Sequence, residues 1–499
     1  MADSFFFRAR RGLSPELEEA RVHIQSIAKG HGLDFFETIF EVCDFDEINM
    51  LASYGGFPTR YPHWRWGMEY LQMQKGYEYG LHKIYEMVIN TDPSYAYLLD
   101  NNMMVDQKLV MAHVFGHVDF FKNNLWFAPT NRKMLDQMAN HAARVQKHIN
   151  AQGHDVVEAW IDICLSIDNL IDPHAVHAPK NPAPREQTAA DPRLPASDYM
   201  DPYINPPAVI AAEREKAAQA AQAEQGFPAK PERDVLGFLL QHAQMAKWQR
   251  DILEMVRDEA LYFVPQGQTK IMNEGWASFW HTTMMTQDIL TAAEVVDYAD
   301  HHSGTVATQP GQLNPYKLGL ELFRHIEDRW NKGQHGRDWY NAEDPRERAA
   351  WDKGTMGGRA KIFEVRKTHN DITFIDEFLD ASFVEEHGLF VWERDKKTGK
   401  FNVDTREFKA VKRQLLFQLS NRGQPRLSVM NANHANRGEL VLSHPYEGLD
   451  IQLDWAELTL GNLSKIWGRP VHLETHIDGK PTLLSHDGSK FSNTSREAV

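Results

Sequence analysis

Apolar positions along this chain follow two different periods. Up to about residue 172, and again over 233–330, they recur every three to four residues, as amphipathic helices require. Ser14-Pro15-Glu16-Leu17 sets a cap with proline at the first helical position and predicts a helix to about Lys29, stopped by Gly30. Further helices are expected over 34–53, 68–90 and 106–122. They are separated by Tyr54-Gly55-Gly56-Phe57-Pro58, the aromatic loop TRYPHWRW and the turn Asp92-Pro93-Ser94. Residues 356–370, opening with Met356-Gly357-Gly358, read as a break. Beyond about residue 380 the period becomes two, in LFVWER, FNVDTREF, RLSVMN, GELVLSH and LDIQL, which predicts short strands. Residues 455–467 return to helix, and VHLETHI and KPTLLSH form a hairpin around Asp478-Gly479.

Between the helical stretches, 173–232 carries 11 of the 24 prolines and an Ala-rich run with little to bury, which reads as a surface insertion or tether. The expected fold is α+β. A large, mainly helical domain (1–172 and 233–358) is interrupted by that insertion and followed by a small α+β domain over 359–490.

The chain has 499 residues, enough for several domains. With 42% hydrophobic and 25% charged residues it can bury a sizeable core. A formal net charge of −15 argues against a broad nucleic-acid footprint. No apolar run reaches a membrane span. MADSFFFRARRGL lacks the long apolar stretch of a secretory signal. Two cysteines, Cys43 and Cys164, fit a reducing compartment, so a cytoplasmic protein is expected.

Histidine changes the picture: there are 24. In KLVMAHVFGHVDFFKNNLWF, His113 and His117 lie four apart, which on a helix puts both imidazoles on one face, within reach of one metal ion. A chain with 24 histidines in 499 residues gives about one such pair by chance, so spacing alone decides little. A second pair, His472 and His476, falls in a strand pattern, where four residues span ~13 Å, too far for one ion. The apolar surroundings of the first pair favour buried imidazoles, as metal ligands or as hydrogen-bonded core histidines. Asp119 is a candidate to orient a ligand.

In QGQTKIMNEGWASFWHTTMM, Glu274 is the candidate third ligand, because Gly275 and Ala277 leave room for a close helix approach. His281 lies ~10.5 Å further along the helix axis and becomes a ligand-supporting or substrate-contacting group. Two histidines and one carboxylate leave a fourth position for water, the layout of a catalytic zinc site. The arrangement is similar to the zincin helix pair of gluzincin peptidases, in which HExxH precedes an NEG-type helix. Here the position of the general base holds Val114, so a peptidase mechanism of that type is not supported. Glu259 and Glu78 are candidate bases, with His82 on the same face as Glu78. Tyr298, His301 and His302 close a helix before Gly304, and His302 is a candidate substrate contact. No phosphate-binding, nucleophile-elbow or dinucleotide fingerprint occurs.

Four long blocks carry a family resemblance: FFETIFEVCDFDEINMLASYGGFPTRYPHWRWGMEY, KLVMAHVFGHVDFFKNNLWF, PQGQTKIMNEGWASFWH and QPGQLNPYKLG. They resemble the SpoVR family, named for stage V sporulation protein R. The resemblance implies a link to formation of the spore cortex, a modified peptidoglycan, or to a stress response. It further implies a PrkA-type serine protein kinase and a von Willebrand A-domain protein as possible partners. It assigns no catalytic residue. Three functions compete. One is a zinc-dependent hydrolase acting on an amide-type bond. The second is a non-enzymatic scaffold or adaptor in the kinase-linked system. The third is a non-haem iron oxidoreductase, whose ligand set is also two histidines and a carboxylate.

Overall fold

A computed structural model describes residues 12–78, 87–177, 200–213, 215, 227–305, 313–394 and 401–495. The chain is α+β and forms two compact units, each built from two stretches of sequence. The first comprises residues 1–151 and 262–423, the second 152–261 and 424–499.

The first unit opens with α1 (Pro15–Gly30), where the Ser14 hydroxyl accepts the Leu17 N–H at 3.2 Å, as the sequence predicts. The helix expected over 34–53 is instead β1 (Thr38–Cys43) followed by α2 (Phe45–Ser53). TIFEVC is rich in β-branched and aromatic residues, and Asp44 with Glu47 forms a capping box that starts the helix afresh. The helix expected over 68–90 runs over α3 (Trp64–Glu78), and Met87–Ile89 is strand β2. β3 (Ser94–Leu99) lies at the centre of this sheet, parallel to β1 and antiparallel to β2. Pairing of β1 with β3 joins residues 56 apart, which local periodicity could not register.

α4 (Met104–Asn123) is buried along nearly its whole length. A helix apolar on every side belongs at the centre of a core. α5 (Met134–Gln152) follows it. From the second stretch come α9 (Lys270–Met284), α10 (Val295–Thr305), α11 (Pro315–Asn331), α12 (Gly358–Thr368), α13 (Asp371–Phe378) and α14 (Phe408–Leu419). α9 packs between α4 and α11, around Phe115, Trp276, Trp280 and Phe323. The break expected over 356–370 is therefore mostly helix. Met356, with φ 52°, precedes α12, and the extended residues His369 and Asn370 separate it from α13. Strands β4 (Val391–Arg394) and β5 (Phe401–Thr405) pair antiparallel where period two was read.

The second unit contains α6 (His154–Leu165), α7 (Val235–His242) and the greater part of α8 (Lys247–Gln268). Its sheet has the order β10-β9-β8-β7-β6. The strands are β6 (Ser428–His434), β7 (Glu439–Ser443), β8 (Val471–Ile477), β9 (Lys480–His486) and β10 (Phe491–Ser495). α15 (Leu453–Trp467) makes the crossover between the parallel strands β7 and β8 and ends at left-handed Gly468. The expected hairpin is β8–β9, but LDIQL is not a strand. Much of the Pro- and Ala-rich stretch lies outside the described residues. Its described parts include the turn Ala175–His177 and the short helix Asp201–Ile204. No helix among the described residues is long and apolar enough to cross a membrane.

Candidate metal centre

Two close helix crossings set the site. A Cβ added to Gly116 of α4 would lie 2.7 Å from Cα of Ala277 on α9. A Cβ on Gly275 would lie 2.4 Å from the backbone of Gly319 on α11. Side chains hold most packed helices 8–10 Å apart, and small residues let backbones come closer. Gly275 and Ala277 therefore do what the sequence assigned to them. Gly319 is the partner that sequence reading missed.

The start of α9 is fixed from far along the chain. The Asp371 carboxylate, on the first residue of α13, accepts the Ile271 and Met272 N–H groups, each at 2.9 Å. It thereby satisfies donors that every helix start leaves open. Burial pushes the Asp371 carboxyl up to about 7, although both backbone donors pull the other way.

At the crossing, His113 and His117 of α4 face Glu274 of α9, and all three are buried. One ligand atom from each lies within 4.8 Å of the other two, and among the described residues this is the one such group. Glu274 Oε2 is 3.5 Å from Nε2 of His113 and 3.4 Å from Nε2 of His117. These are long for hydrogen bonds, and Oε2 is buried with no hydrogen-bond partner. For a tetrahedral ion with bonds of about 2.0–2.1 Å, ligand atoms sit ~3.3–3.4 Å apart. Both separations match that edge. A buried oxygen with no donor and two imidazole nitrogens around one point fit a metal ion.

The far sides of both rings are already engaged. His117 Nδ1 donates to Asn273 Oδ1 at 2.9 Å, which puts its proton on Nδ1 and leaves the Nε2 lone pair facing Glu274. His113 Nδ1 is 2.7 Å from His281 Nδ1, so one of these two nitrogens donates to the other. With His113 as the donor, its Nε2 lone pair likewise faces Glu274. Glu274 Oε1 pairs with Lys270 one turn earlier on α9. Burial alone would raise the Glu274 pKa; His117, His113 and Lys270 outweigh it and hold the carboxyl well below the usual range.

His281 thus stands against the far side of the His113 ring. Asp119 does not. Both of its oxygens lie 2.6 Å from Nη1 of Arg366, one also accepts Trp276 Nε1 at 2.7 Å, and the other the Asp34 N–H at 2.8 Å. Two residues beyond His117, it points to another side of α4 and ties α9 and α12 to it. Glu259 is buried on α8 in the second unit, whereas the triad lies within the first. Glu78 ends α3, and its side chain, like that of His302 on α10, is outside the described residues. His82 also lies outside the described residues. Val114 is fully buried. His472 and His476 sit on β8 and part company: His472 bonds Glu439 and Ser485, while His476 lies against Tyr446. Sequence reading missed Asn273, Lys270 and Asp371. Asn273, beside Glu274, and Lys270, one turn before it, left a local signal.

The profile described as SpoVR like protein matches residues 13–424. The chain belongs to the SpoVR family. A relative along nearly the full length is "Uncharacterized protein YcgB" of Escherichia coli (strain K12), 26% identical over 504 residues and covering 94% of each chain. No solved structure matches. The matched span holds the whole triad, together with Asn273, His281 and Lys270.

Proposed function

We propose that this SpoVR-family protein is a metal-dependent hydrolase whose single divalent ion, zinc, is held by His113, His117 and Glu274. The observation that carries this is the buried Glu274 oxygen, left without a hydrogen bond and set at tetrahedral-edge distances from two imidazole nitrogens. Bound there, zinc would act as a Lewis acid and lower the pKa of a water to about 7. Asn273 and His281 hold the rings so that Nε2 faces the ion. As a ligand, Glu274 would be ionised and would offset part of the ion's charge. Val114 supplies no base, so deprotonation of the water relies on the ion more than in a peptidase of the HExxH type. The link with spore cortex implied by the family resemblance points to an amide-type bond in a peptide or cell-wall precursor.

The test is elemental mass spectrometry of natively purified protein, alongside His117→Ala and Glu274→Ala. About one zinc per chain, lost in both variants, is expected. One iron per chain would replace hydrolysis by oxidative chemistry at the same ligands. A folded protein without stoichiometric metal would make these residues a buried polar cluster and overturn the proposal.

A further inference from the structure

One cation borders the triad and also reaches solvent. Lys270 places its ammonium on Glu274 Oε1, yet its side chain is 51% exposed, against 6% for Glu274. The same ammonium lies 5.7 Å from the centre of the Tyr316 ring, and that ring is 6.3 Å from the ring of His113. Lys270 opens α9, and Tyr316 lies in the first turn of α11. Both therefore stand at one end of the packed helices, and Lys270 is where the buried carboxylate meets water.

The electrostatics of this end are one-sided. A divalent ion together with Lys270 outweighs Glu274, and Asp371, whose carboxyl also feels the Lys270 charge, offsets only part of the remainder. A neutral substrate would leave that excess uncompensated in a partly desolvated place, and an anionic group would offset it. Binding of the ion also loosens the lysine. Glu274 then shares its charge with the ion, and the two cations repel, so the ammonium becomes available to a ligand on the solvent side.

We propose that Lys270 is the anchor for an anionic oxygen group, carboxylate or phosphoryl, of the substrate whose scissile bond meets the metal. This rests on the metal reading and narrows it to acidic substrates. Lys270 binds and positions; no bond is made to it.

The test uses the full chain loaded with cobalt(II), whose visible absorption reports ligands arriving at the ion, titrated with inorganic phosphate and separately with acetate. Wild type is expected to bind phosphate with a spectral change. Lys270→Met should retain one cobalt per chain, bound no more weakly, while its phosphate affinity falls about fivefold, the scale of a partly exposed ion pair. Lys270→Arg should restore most of it. If Lys270→Met does not fold, Lys270→Gln against Lys270→Arg reads the same difference. Equal phosphate and acetate affinities in wild type and the neutral variants, at full cobalt occupancy, overturn the anchor and leave the metal centre standing, as does failure of wild type to bind either anion. Failure of folded wild type to take up cobalt removes centre and anchor together.

Discussion

Gly116→Ala isolates the contact on which the ligand geometry depends. The new Cβ would lie 2.7 Å from Cα of Ala277 and 3.2 Å from its Cβ. Carbon atoms settle at about 3.5–4.0 Å, so α4 and α9 must part by roughly 1 Å. Backbone is in the way, and no side-chain rotation relieves it. Overpacking of this kind costs ~1–3 kcal/mol, offset by the ~1 kcal/mol by which alanine is preferred to glycine inside a helix. The protein should therefore fold, with a melting temperature only a few degrees lower. Metal sites tolerate errors of about 0.2 Å, and the same displacement separates Glu274 from both histidines. Affinity for zinc, measured by competition with a chromophoric chelator, should fall at least ~100-fold, beyond what loss of a supporting hydrogen bond does. Adding Ala277→Gly removes the 3.2 Å contact but leaves the one at 2.7 Å, so it should not restore binding. Gly67→Ala on α3 is the control, because nothing lies within 4 Å of its added Cβ. Wild-type zinc affinity in Gly116→Ala would refute the dependence of the centre on this crossing.

Three further outcomes are expected. Asn273→Ala should weaken zinc binding about 10–100-fold with little change in thermal stability, because it frees the His117 ring without emptying the core; unchanged affinity would remove Asn273 from the site. Asp119→Ala leaves Arg366 buried without its partner and should cost ~3–5 kcal/mol in urea unfolding, while the folded fraction keeps its metal. Burial pushes the Asp371 carboxyl up to about 7, above the ordinary aspartate value of 3.8. Its contribution is fully present below pH ~4 and is lost as pH rises to ~7, so wild type should lose stability relative to Asp371→Asn between pH ~4 and pH ~7. Parallel unfolding curves across that range would contradict the assignment.

The parts of the centre legible in sequence were those with a local signature. His113 and His117 declare themselves by helical spacing in an apolar segment, and Glu274 by the small residues after it. Most helices were legible too, through period and caps such as Ser14 with Pro15. What stayed hidden depends on residues far apart in the chain. TIFEVC reads as helix by local pattern because its strand partner lies on the other side of two helices. Asp119 reads as a residue that orients a ligand because its distance from His117 is visible in the sequence, whereas its partner Arg366, 247 residues away, is not. Asp371 caps a helix start 100 residues upstream, and no local capping rule reaches that far. Lys270 is the exception, one turn from Glu274. It went unread because an exposed lysine on a helix is ordinary until its partner is known to be buried.

Both units are assembled from two separated stretches of chain, and this has a consequence for synthesis on the ribosome. The two histidines emerge early, but Asn273 lies 156 residues beyond His117. At about 5–20 residues per second, ~8–30 s pass before the helix that carries Asn273 and Glu274 exists. During that interval α4, apolar on nearly every face, lacks the helix that covers it. The nascent first half is thus a species exposed to chaperones, with His113 and His117 uncovered. A chain truncated between the halves should accumulate as aggregate rather than as a smaller folded protein.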